Sequence, residues 1–197
     1  MGPLSDPPPS DPTPGHRAPD DAEELFQRGL VLLYQDGDAA GAEALWAAAD
    51  AKGHAGAATH LGLVALHERQ DIAAAEIAYR RGAERGDSNG AFHLGLIREA
   101  RGDVEGAEQA FAQADALGHG AAAANLGVAL YERGEFDAAQ AAFARSDARG
   151  HGGGAFNLGL MLEAQGDRAG ARAAYLRAHE RGEAGADQAL GRLRADA

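Results

Sequence analysis

Residues 155–182 read AFNLGLMLEAQGDRAGARAAYLRAHERG, one complete unit of the pattern that runs through the chain. Ala155, Leu158, Gly159 and Leu162 recur at three- and four-residue spacing, the period of one face of a helix. Gly166-Asp167 then breaks the pattern as a turn, Gly supplying the left-handed position and Asp the cap of the second helix. Ala171, Tyr175 and Ala178 resume the helical spacing, and Gly182 closes the unit. The unit is a helical hairpin, and the chain repeats it. Leu-Gly occurs at Leu61-Gly62, Leu94-Gly95, Leu126-Gly127, Leu158-Gly159 and Leu190-Gly191, in steps of 33, 32, 32 and 32 residues, with Arg28-Gly29 33 residues before the first. Such a period marks a repeat array.

The turn recurs as Gly37-Asp38, Gln70-Asp71, Gly102-Asp103, Gly134-Glu135 and Gly166-Asp167. The second helices carry Ala42, Trp46, Ala49; Ala75, Tyr79, Gly82; Ala107, Phe111, Ala114; and Ala139, Phe143, Ser146. Gly53, Gly86, Gly118, Gly150 and Gly182 end the units. The spacing predicts five hairpins at about 22–52, 53–85, 86–117, 118–149 and 150–181, with a last capping helix at 183–195, about 11 helices in all. A Gly inside each first helix costs up to ~1 kcal/mol against Ala. The expected return is close approach of the second helix, its aromatic residue acting as the knob.

All seven prolines fall within residues 1–20, which read as a disordered Pro-rich tail with polyproline-II character; Pro9-Ser10-Asp11-Pro12 could also serve as a PxxP ligand. From Asp21 to the end there is none, which suits uninterrupted helices, so the repeat domain is placed at 21–197. Thirty acids against 18 bases give a formal net charge of −12, which repels phosphate backbones and argues against nucleic acid as a partner. Arg used almost to the exclusion of Lys, with heavy Ala and Gly, points to a GC-rich, bacterial genome. No apolar run approaches the ~20 residues of a membrane span, and residues 1–20 lack a signal-peptide pattern, so the expectation is a cytoplasmic protein. There is no Cys, hence no disulfide and no Cys-ligated metal.

These motifs resemble the tetratricopeptide repeat and its Sel1-like relatives. Asn157-Leu158-Gly159, Gly166-Asp167, Ala171, Tyr175 and Ala178 match the tetratricopeptide offsets, and Arg80-Arg81-Gly82-Ala83-Glu84-Arg85-Gly86-Asp87 resembles the Sel1-like ending. The period is slightly short, and Gly stands where Pro often follows the second helix. The resemblance implies an all-α, right-handed α-solenoid that binds a peptide or helix of a protein partner along a groove lined by the first helices, with no enzymatic activity and no cofactor. It places the groove beside Leu-Gly: Phe26, Phe92 and Phe156 in one column, and Gln27, His60, His93, Asn125 and Asn157 in the next. Leu30, Leu63, Leu96, Val128 and Leu160 follow the Gly. The Phe and Leu columns read first as inter-repeat core, whereas the His/Asn column reads equally as polar satisfaction between helices. Relatives that clamp acidic C-termini use basic residues here; this column has no Lys or Arg, so that clamp is not expected. Self-association into a homo-oligomer is the alternative.

His54, His119 and His151 follow the closing glycines and read as surface loop residues; at ~10 Å per repeat they cannot share one metal ion. Gly150-His151-Gly152-Gly153-Gly154 lacks the Lys and Ser/Thr of a phosphate loop and reads as a loosened helix start and hinge. No nucleophile–base pair is evident.

Overall fold

The computed structural model describes residues 21–195. These form eleven α-helices, and the described residues contain no strand. First helices are α1 (Ala22–Val31), α3 (Ala55–His67), α5 (Ser88–Ala100), α7 (Gly120–Glu132) and α9 (Gly152–Ala164). Second helices are α2 (Ala39–Ala51), α4 (Ile72–Glu84), α6 (Val104–Ala116), α8 (Phe136–Ala148) and α10 (Arg168–Glu180). The last described helix, α11, spans Ala186–Ala195, three residues shorter at its start than the spacing suggests, because Gly185 takes φ +87° and ends a turn there. Residues 1–20 and the Pro-rich tail assigned to them lie outside the described residues.

Each helix packs mainly on its chain neighbours, and first helices also meet across repeats, α3 on α5 and α7 on α9. This is the quasi-one-dimensional stacking of an α-solenoid. Local chemistry dictates the breaks. Gly102, Gly134 and Gly166 between paired helices, and Gly53, Gly86, Gly118 and Gly150 between repeats, all have φ between +77° and +93°. Gln70 takes the same left-handed conformation, φ +54°, without being glycine. Asp38, Asp71, Asp103 and Asp167 each accept a backbone N–H three residues on, capping the second helix.

The uneven period has a local cause. In the last three hairpins the turn closes with a backbone bond five residues back, as in Asp103 N–H to Arg98 C=O. In the first two it closes six back, Asp38 to Leu32 and Asp71 to Ala65, so one extra residue is accommodated. After α1 the helix widens into a π-helical turn over Leu32–Asp36.

The core lies where the internal glycines admit the second helices. Trp46, Tyr79, Phe111, Phe143 and Tyr175 are all at most 3% exposed. A methyl group on Gly95 or Gly159 would stand 2.5 Å from the Phe111 or Tyr175 ring. Gly191 of α11 has nothing within 4 Å, since no second helix packs on it among the described residues.

Candidate functional site: the first-helix face

Two polar ladders fix the register of the repeats and hence the face their first helices present. In the first, an Asp near the end of one second helix accepts from two cations of the next. Asp50 meets Arg81 at 2.9 Å and Arg85 at 2.5 Å. Asp115 meets Arg145 at 2.6 Å and also Arg149, and Asp147 meets Arg177 at 2.5 Å and Arg181 at 2.6 Å. Burial works to raise the pKa of Asp115 and Asp147, but the guanidinium hydrogen bonds outweigh it and hold both carboxyls below the ordinary range. The rung between the second and third hairpins changes as a unit: Ala83 replaces the Asp, Leu117 replaces one Arg, and Gln113 donates instead to the Ala83 carbonyl at 2.7 Å. The second ladder pairs Glu43 with Arg69, Glu76 with Arg101 and Glu108 with Arg133, and its fourth rung is Gln165 donating to Gln140. A Glu–Arg pair has become a Gln–Gln pair with both partners exchanged. Both ladders recur in the sequence at steps of 32 or 33 residues, but each joins two columns, so no single column reveals them.

The candidate groove residues take different positions. Phe26, Phe92 and Phe156 are half-buried at the seams between repeats. Phe26 stacks on His54 with centroids 4.3 Å apart, Phe92 stacks on His119 at 4.3 Å, and Phe156 lies against Gly185 and 5.6 Å from Tyr175. Gln27 is exposed and donates to Glu23. His60 lies 4.8 Å from Trp46 with its Nδ1 at 2.9 Å from the Gly56 carbonyl, and His93 stacks on Tyr79 at 4.9 Å. Asn125 and Asn157 are half-buried. The eight do not converge on one point; His60 and Asn157 are the two that line the cavities described below.

The loop histidines are different from expectation. His54, His119 and His151 are N-caps, each ring Nδ1 accepting a backbone N–H three residues on, from Ala57, Ala122 and Gly154. Asp87 supplies the cap of α5. Burial, then the neighbouring His151, lowers the pKa of His119; burial, then His119 and His67, lowers that of His93. Nor are Gly152–Gly154 a loosened start. They are helical from Gly152 on, and Gly154 is packed on Ser146, where a side chain would not fit.

Two cavities open on the first-helix face at equivalent places three repeats apart. One, of 410 Å³, lies between the first two hairpins and includes Tyr34, Leu63, Val64 and Trp46. The larger, of 630 Å³, lies between the fourth and fifth and is floored by Phe143 and Met161. Its mouth is formed by Val128, Tyr131, Phe136 and Leu160, which are 42%, 52%, 53% and 40% exposed. Val128 and Leu160 belong to the column just after the Gly, whereas Tyr131 and Phe136, either side of the Gly134 turn, were missed. Their signal was an aromatic on each side of a turn whose counterparts at Gly102 and Gly166 are Glu99 with Val104 and Glu163 with Arg168.

No family model and no curated protein matches the sequence. Solved structures do. A protective antigen of uropathogenic Escherichia coli strains displaying an SLR fold superposes with TM-score 0.79 at 24% identity, over 88% of this chain and 41% of its own. A Sel1 repeat protein from Oxalobacter formigenes gives 0.76 at 21% identity, over 88% and 78%. A chain of the APC/C hetero-tetramer Cut9–Hcn1 gives 0.60 at 17% identity, over 88% and 36%. The chain thus spans under half the length of the first and third of these. The shared property is the fold, the helical repeat array of Sel1-repeat and tetratricopeptide-type proteins.

Proposed function

We propose that this chain is a non-enzymatic interaction scaffold that holds a segment of a protein partner on its first-helix face. The observation that carries the reading is the 630 Å³ cavity, whose mouth exposes four large apolar side chains side by side. Contiguous apolar surface of this kind marks an interaction site. Most of the lining is apolar, so what it offers a partner is chiefly shape and apolar area. Of the expected groove residues, His60 and Asn157 each lie at a cavity and add polar groups to its wall. Phe26, Phe92 and Phe156 hold its repeats together, while Gln27, His93 and Asn125 edge it. The acidic balance favours a protein over a nucleic-acid partner. No helix among the described residues is long and apolar enough to cross a membrane.

Site-specific photo-crosslinking in the source cells tests the reading. A crosslinking residue at Leu160 is expected to trap a partner segment, and one at Ala144, exposed on α8, is not. Equal trapping at both, or none at Leu160, sinks the idea. Self-association is a second reading, favoured by a row of exposed apolar residues at second-helix starts, Ile72, Val104 and Phe136. A monomer mass by light scattering at every concentration removes it.

A further inference from the structure

The cavity between the fourth and fifth hairpins carries information about its occupant. Six of its ten lining side chains, from Val128, Tyr131, Phe136, Phe143, Leu160 and Met161, are large and apolar. An extended peptide would bring unpaired backbone N–H and C=O groups into such a lining, at a cost for each group left without a partner. A helix satisfies its backbone internally and presents side chains alone. The trough lies between α7 and α9, which pack against each other, so it suits the i, i+3, i+4 anchors of one helix face.

Charge sets the other half of the recognition. Glu132 is part of the cavity wall, and Glu135 and Asp137 line the shallow depression that shares Phe136 with it. Arg133 is shared between Glu108 and Glu135. Glu132 and Asp137 have no ion pair among the described residues. The mouth is therefore apolar with a net acidic rim, within a chain of formal charge −12. A second copy seated here would set these carboxylates against their own counterparts, a like-charge contact that opposes association.

Resting on the scaffold reading above, we propose that this socket binds a cationic amphipathic helix of a partner protein, its apolar face in the cavity and its Lys or Arg residues against Glu132 and Asp137. The smaller cavity three repeats away is not required for this contact.

The test uses the full chain and three synthetic peptides of about 18 residues, five helical turns. One places Leu at i, i+3, i+4 and i+7 with Lys elsewhere, one keeps the Leu pattern with Glu for Lys, and one scrambles the first at identical composition. Binding is read by fluorescence anisotropy near 0.15 M salt, where diffuse charge attraction is screened. The amphipathic Lys peptide is expected to bind, the other two far more weakly. Tyr131→Ser with Phe136→Ser is expected to weaken it about tenfold or more, as loss of central aromatic anchors does. Glu132→Lys with Asp137→Lys is expected to weaken it about threefold or more through charge alone. Ile72→Ser, at the position equivalent to Phe136 two repeats earlier, is expected to leave binding unchanged. All these side chains are surface-exposed, and circular dichroism verifies folding. The scrambled or Glu peptide binding as tightly as the first overturns the proposal, as does indifference to both double variants. Crosslinks from Leu160 to an acidic or extended segment would overturn it while leaving the scaffold reading standing; no crosslink at all removes both.

Discussion

Tyr79 and Tyr175 occupy the same place in their repeats but not the same chemistry. Both are fully buried, and each lies where a first-helix Gly leaves room for its ring. The Tyr175 hydroxyl donates to Glu163 at 2.7 Å, and burial, then that bond, raises its pKa. The Tyr79 hydroxyl has no hydrogen-bond partner among the described residues, and burial pushes its pKa up to about 12. An unpaired buried hydroxyl costs free energy, and the equivalent Phe111 and Phe143 do without one. Tyr79→Phe is therefore expected to be neutral or stabilising by up to about 1 kcal/mol, while Tyr175→Phe costs about 1 kcal/mol, in urea unfolding. The glycines give a matching contrast. Gly95→Ala drives a methyl into Phe111 and is expected to cost about 1–3 kcal/mol. Gly191→Ala meets open space inside α11 and should gain about 0.5–1 kcal/mol in the same assay, through helix propensity.

Helix starts are where the elements differ. Second helices use Asp caps except α8, where Glu135 makes no capping bond and pairs with Arg133. Three first helices use His, which caps only when its Nδ1 is unprotonated and able to accept. His119 faces Phe92, Asp87, Arg149 and His151, and His93 faces Tyr79, Asp87, His67 and His119. Both have folded pKa values below the ordinary 6.5. The unfolded chain thus takes up protons first as pH falls. Their stabilisation is whole above 6.5 and is lost as pH drops through the lowered values. A second loss begins below 3.8, where the unfolded state protonates carboxyls that Asp115 and Asp147 keep ionised in the fold. Urea midpoints should therefore fall between about pH 7 and about pH 5. His119→Asn, a cap that does not titrate, should make that fall shallower; an unchanged slope would show that His119 carries none of it.

Across the molecule, stability is a sum of hairpins and the seams between them. The Asp–Arg ladder makes one seam testable against another, since the second hairpin already carries Ala83 where the fourth carries Asp147. Asp147→Ala leaves Arg177 and Arg181 without their acceptor; both are part-exposed, so water offsets some of the loss, and about 1–3 kcal/mol is expected. Hydrogen exchange should then show the fifth hairpin and α11 opening ahead of the rest. Adding Arg177→Gln recreates the Ala83–Gln113 arrangement and should recover part of the loss, a positive coupling in the double-mutant cycle. Strict additivity would mean the rung does not act as a unit.

The sequence alone determined the array, because helix period, turn glycines and the absence of proline from residue 21 onward are local and recur five times. It determined the role of the glycines inside the five hairpins too, since each is matched in the same hairpin by one large ring. It did not determine which faces stay open. Phe26 and Phe92 share the chemistry of a binding column, yet the next repeat's His54 and His119 stack on them. Those histidines read as loop residues until the next helix supplied the N–H groups they cap. The cavity at Val128, Tyr131, Phe136 and Leu160 gathers side chains from three helices, and only the stacking of repeats decides that they meet. Local pattern fixes what each segment becomes; which surface is spent on the seam and which is left for a partner follows from the superposition of neighbouring repeats.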